Sequence, residues 1–158
     1  KNVDESFRIT NQLDPERYEV WYVSYYADPK PWYRCDKVMK KVPYQEMPHI
    51  YRQCDILIKS SILESFSYPP LEMMATGGYA VVAPNGGNVE YLKDGENCLL
   101  YEPGNVEQAV HLIETIVQDP DLRERLYQGG IQTANMRDWE TIRLQILKLY
   151  GETEEDFA

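Results

Sequence analysis

At 158 residues the chain suits one domain, large enough for a sheet with helices on both faces, and no internal boundary is expected. A formal net charge of -10 leaves no basic face for nucleic-acid phosphates, which argues against that class of partner. Cys35, Cys54 and Cys98 are odd in number and lack CxxC spacing, so they read as reduced, mostly buried thiols of a cytosolic protein.

The first thirteen residues carry a helical pattern, with Val3, Phe7, Ile9 or Thr10, and Leu13 broadly on one face. Tyr18 to Ala27, rich in β-branched and aromatic residues, predicts a strand. Trp21, Tyr22, Tyr25, Tyr26, Trp32 and Tyr33 form an aromatic cluster that reads as core packing and loop cover in preference to a sugar-stacking platform. Lys37 to Val42 is a short strand whose Lys37, Lys40 and Lys41 suit a solvated edge, and Val42-Pro43-Tyr44 turns the chain into a helix over Gln45 to Gln53. His49 and His111 sit far apart in helical patterns, and neither is expected to bind a metal.

The stretch from Asp55 to Glu90 carries the chemistry. Asp55 to Lys59 is a nearly continuous apolar run that suits a strand buried on both faces of a parallel sheet. Pro69 and Pro70 sit where a helix begins, because a missing amide hydrogen costs nothing in its first turn, and Gly77-Gly78 supplies the stop. Tyr79 to Ala83 is the next buried strand, followed by the loop Pro84-Asn85-Gly86-Gly87 and a helix start near Glu90. Asn97 to Tyr101 is a further strand, with helices over 106–118, 122–135 and 139–150 after it. No apolar run approaches the ~20 residues of a membrane span, and no signal peptide opens the chain.

Two successive strand-to-helix loops thus open on one edge of one sheet, where open α/β sheets bind ligands. Glu64 and Glu72 flank the first loop, and the amides of Ser65, Phe66, Ser67 and Tyr68 point outward at a helix amino end, which attracts anions. A bare phosphate would be repelled by two carboxylates. A sugar nucleotide uses both features, its phosphates meeting the amides and its hydroxyls the carboxylates.

Glu64-Ser65-Phe66-Ser67-Tyr68-Pro69-Pro70-Leu71-Glu72 resembles the E-x7-E motif of retaining glycosyltransferases of the GT-B fold, especially family 4. The resemblance continues through Met74-Ala75-Thr76-Gly77, Gly86-Gly87-Asn88-Val89-Glu90 and Asp94-Gly95-Glu96-Asn97, and reaches from Pro48 to Glu140 in order. The sequence departs from the family at Ser67 and Lys40, where glycine is usual, at Tyr79-Ala80, where a proline is common, and at Cys98. Ser67 bears on the donor sugar, since a side chain there could narrow its pocket.

The resemblance implies a Rossmann-like parallel sheet with helices on both faces, the C-terminal domain of a GT-B enzyme. Residues 1–150 would be its nucleotide-sugar-binding domain without its first strand, and 151–158 an acidic tail that frays. It further implies transfer of a sugar from a nucleotide diphosphate donor with retention and without cofactor or essential metal, in cell-surface polysaccharide or glycan synthesis. The acceptor-binding N-terminal domain of the same polypeptide would complete the site. The implied location is cytoplasmic, any contact with the inner face of the membrane being peripheral and made through that other domain.

By the same resemblance, Glu64 is the catalytic candidate and faces the transferred sugar, and Glu72 holds the ribose. Ser65 to Tyr68, Gly86 and Gly87 line the donor, Val42 and Pro43 hold the nucleobase through backbone groups, and Lys1 meets the diphosphate. Two alternatives stay open: an epimerase or phosphorylase of the same fold, against which the E-x7-E spacing argues, and a regulatory nucleotide-binding module without chemistry.

Overall fold

The computed structural model describes residues 1–151, so the acidic tail expected at the end of the chain lies, from Glu152 on, outside the described residues. Helix α1 (Val3–Thr10) is followed by strands β1 (Trp21–Ser24) and β2 (Lys37–Lys40), then a 3-10 turn (Tyr44–Glu46) running into α2 (Met47–Tyr51). Next come β3 (Ile56–Lys59), α3 (Tyr68–Ala75), β4 (Tyr79–Val82) and β5 (Leu99–Leu100). Three helices close the described chain: α4 (Val106–Gln118), α5 (Pro120–Asn135) and α6 (Trp139–Tyr150). The α/β class and the parallel strands are those the sequence implies.

Alternation along β4 sends side chains to two cores. Val81 joins Ile9, Tyr101, Ile113 and Leu126 on one face, while Ala80 and Val82 meet Met74, Tyr91 and Leu92 on the other. Helices therefore cover both faces. Asn105, Asp119 and Asp138 cap α4, α5 and α6, each accepting from the amide three residues on, at 3.1, 2.9 and 2.9 Å; a cap of this kind contributes about 1 kcal/mol. Gly77, at φ 85, ends α3, with the Gly77 and Gly78 amides returning to the carbonyls of Met74 and Met73. Helix α5 runs through Gly129-Gly130 because the chain passes too close for side chains: a Cβ at Gly129 would stand 2.1 Å from the Glu96 carbonyl oxygen.

Two expectations need correction. The strands do not form one sheet: β1 pairs with β2, and β3-β4-β5 form a separate parallel sheet. The free edges of β1 and β3 both line one cavity of about 1070 Å3, with Phe7 and Ile113 as further walls and Met47 and Met73 beside them. The helix start expected near Glu90 is a run of turns, with amides 88 and 89 returning to Asn85 and 91 and 92 to Asn88. Lys41, which follows β2, is left-handed, at φ 52.

The aromatic cluster divides. Tyr22 and Tyr33 pack on Phe7, with ring centroids 5.4 and 3.8 Å away, whereas Tyr25 and Tyr26 are exposed. No helix among the described residues is long and apolar enough to cross a membrane.

Candidate functional site

Strand β3 ends at Lys59, and residues 60–67 lead from its carboxyl end into α3. Two serines at that exit moor the start of the chain: Ser60 donates to the Asn2 carbonyl at 2.7 Å, and Ser61 to that of Lys1 at 3.4 Å. Lys1 is thereby carried over the loop, and its Nζ lies 2.7 Å from each carboxylate oxygen of Glu64. Lys59 reaches the same carboxylate, with Nζ 2.8 Å from Oε1. Burial alone would push the Glu64 carboxyl up, but the hydrogen bonds from Lys1 and Lys59, aided by Ser61, outweigh it and hold the pKa down at about 2. Glu64 is an ionised acceptor at any physiological pH.

Glu72, on α3, has different company. The Tyr51 hydroxyl donates to its Oε2 at 3.0 Å, and burial together with the charge of Glu72 holds that phenol far above its usual pKa. The same charge raises the pKa of Tyr44. Tyr51 therefore remains a neutral donor. Because Tyr44 directly follows Val42-Pro43, that expected nucleobase turn joins the site on the Glu72 side.

Between the carboxylates, the amides of Ser65, Phe66, Ser67 and Tyr68 have no hydrogen-bond partner among the described residues. The Phe66 ring packs on Tyr68 and Tyr91, at 4.9 and 5.2 Å, and the Tyr91 hydroxyl donates to the Ser67 carbonyl. Ser67 precedes α3 in the left-handed region, at φ 71 and ψ 71, and its buried hydroxyl has no partner among the described residues. A side chain in this conformation costs about 1–2 kcal/mol that glycine would not incur. Strain of this kind is concentrated at functional sites.

Gly86 and Gly87 part company. A Cβ on Gly87 would stand 2.1 Å from the Glu64 carbonyl oxygen, whereas one on Gly86 would meet nothing within 4 Å. The bare backbone of Gly87 thus lets this loop approach the Glu64 loop closely. Its neighbour Asn85 fixes both strands' exits, donating from Nδ2 to the Ser61 carbonyl at 2.8 Å and accepting from the Gly87 amide at 3.0 Å. Among the described residues, no group of His, Cys, Asp and Glu is arranged to hold a metal ion.

Lys59 and Tyr51 escaped the sequence reading. Lys59 ends the strand expected to be buried, and Tyr51 lies within the helix expected over Gln45 to Gln53. The legible signal was a lysine closing an otherwise apolar strand at the sheet's carboxyl edge, where a solvated charge has no packing purpose.

The pattern of the family described as Glycosyl transferases group 1 matches residues 37–133, over half of the chain. The chain belongs to that family. A relative, D-inositol 3-phosphate glycosyltransferase of Corynebacterium efficiens, is 30% identical over 110 residues, 70% of this chain and 26% of that protein. The O-antigen biosynthesis protein RfbC of Myxococcus xanthus is 32% identical over 107 residues, 68% of this chain and 8% of its own length. Among solved structures, Anabaena Alr3699/HepE in complex with UDP-glucose superposes with a TM-score of 0.65 at 26% identity, over 73% of this chain and 32% of that one. The chain spans about a quarter of the length of the first of these relatives.

Proposed function

We propose that this group 1 domain is the donor-binding half of a retaining, family 4 glycosyltransferase. It would bind a nucleotide diphosphate sugar for transfer to an acceptor in cell-surface glycan synthesis on the cytoplasmic side. The observation that carries the reading is the pairing, at one sheet edge, of two carboxylates held in different ways around a row of unpartnered amides. In this reading the amides of Ser65 to Tyr68 and the Lys1 ammonium take the diphosphate, Glu72 the ribose hydroxyls, and Glu64 the transferred sugar. Val42-Pro43 meet the base. That the Anabaena protein of the same fold was solved with UDP-glucose supports a donor of this chemical class.

The reading extends to what completes the domain. The two unpaired parallel edges of β1 and β3, facing one cavity, support a further parallel strand between them, preceding α1 in the same polypeptide. An acceptor-binding domain of that polypeptide would close over the Glu64 loop. With amides and a lysine for the phosphates, no divalent ion is needed.

The test is calorimetric titration with a nucleoside diphosphate and its sugar-linked form, with and without EDTA. Binding that survives chelation, with no turnover by the isolated chain, is expected. Binding abolished by EDTA, or acceptor-dependent transfer by this chain alone, would overturn the corresponding part of the reading.

A further inference from the structure

Lys59 has no part in the roles assigned above. It closes β3 with a side chain only 14% exposed, and its 2.8 Å bond to Glu64 enters the carboxylate from within the fold. Lys1 approaches the same carboxylate with a side chain 66% exposed. One carboxylate, itself 12% exposed, thus carries two cations, one fixed on a strand and the other on a long solvated arm. Stripping the partner from an enclosed charge is strongly unfavourable, whereas moving an exposed ammonium is nearly neutral.

Resting on the donor-binding reading, we infer that Lys59 is a positioning residue: its ammonium holds Glu64 in place and balances its charge, so that Lys1 can leave Glu64 for the donor's diphosphate. Without Lys59, Lys1 would be the sole counter-ion of an enclosed carboxylate. Drawing it toward phosphate would then leave one anion unpaired beside another. With Lys59 present, the three side chains carry a net positive charge in a chain of formal charge -10, and withdrawal of Lys1 leaves a neutral pair behind. Lys59 thereby reconciles a carboxylate at the site with an anionic ligand.

A double-mutant cycle on the full chain tests this, with nucleoside diphosphate as the probe. Lys59→Met should weaken binding roughly tenfold, while in a Glu64→Gln background the same substitution should change it less than about twofold, because Lys1 is then free already. Lys59→Arg, which keeps the charge, should restore most of the affinity. An equal loss in both backgrounds would mean that Lys59 bonds the phosphate directly, and no loss in either would mean that Lys1 needs no help; either result overturns the inference. A second arm needs no nucleotide: NMR titration of the Glu64 side-chain carboxyl should show its pKa raised by Lys59→Met and returned by Lys59→Arg. A Glu64 carboxyl indifferent to Lys59 also overturns the inference. Failure of the donor reading looks different, as a wild type that binds no nucleoside diphosphate while its Glu64 still responds to Lys59.

Discussion

Glu64 accepts from two ammonium groups, and Glu72 from a phenol. The first sits on a loop whose position depends on contacts far away in sequence: Lys1, Asn85 through Ser61, and the bare backbone of Gly87. The second sits on a helix and inherits its place from the geometry of α3, with Tyr51 of α2 alongside. A carboxylate neutralised by cations can lie beside a second anion and a leaving bond. One held by neutral hydroxyl groups keeps its full charge as an acceptor for further hydroxyls. Two residues of one type in one motif are thereby given separate chemistry by what surrounds them.

The largest way to break the contrast is to disturb the loop without touching the helix. A methyl at Gly87 meets the Glu64 backbone rather than the end of a flexible side chain, so Gly87→Ala should lie at the upper end of overpacking costs, about 3 kcal/mol in stability. Binding of the sugar-linked nucleotide should be lost with it. Gly86→Ala, into open space, should change the stability by no more than about 0.5 kcal/mol. Thermal melts and titrations of the pair check this, and equal effects at the two glycines would show that the Glu64 loop does not depend on this approach.

Removing the carboxylates themselves comes next. A hydrogen bond to a charged group contributes about 1.5–3 kcal/mol, so Glu72→Ala should weaken a bare nucleoside diphosphate roughly ten- to hundredfold. Glu64→Ala should not weaken it, and should impair only the sugar-linked form and, in a complete enzyme, kcat. If Glu64→Ala weakens the bare nucleotide as much as Glu72→Ala does, the separation of roles is wrong.

The helix side of this contrast was legible in the sequence and the loop side much less so. Proline at the start of α3, glycine at its end and an apolar run before it are local signals, and they placed Glu72 on its helix and Glu64 in its loop. The partners of Glu64 are not local. Lys1 and Glu64 are 63 residues apart, and Lys59 differs from a solvated strand end only through the loop that folds back over it. The division of the sheet was equally hidden, since each strand has its own pattern but neither pattern shows that the edges of β1 and β3 stay unpaired. The helix over 122–135 was legible, but not the approach of the Glu96 backbone that forbids a side chain at Gly129.

The smallest expected effect is on stability against pH, and it isolates Glu64 from the chain's other carboxylates. In the folded protein Glu64 titrates at about 2, below its ordinary value of 4.5. Above about pH 5 both folded and unfolded chains carry the charge, and the stabilisation is fully present. As pH falls from there toward 2, the unfolded chain takes up a proton that the folded one refuses, so the stabilisation is lost through that window. Other acidic groups shift too, so the informative quantity is the difference in Tm between wild type and Glu64→Gln, which has no carboxyl to titrate. That gap, a few degrees for roughly 1 kcal/mol in a domain of this size, should be constant above pH 5 and close by about pH 2. A gap that stays constant down to pH 2 would mean that the lysines around Glu64 do not hold its carboxyl down in solution.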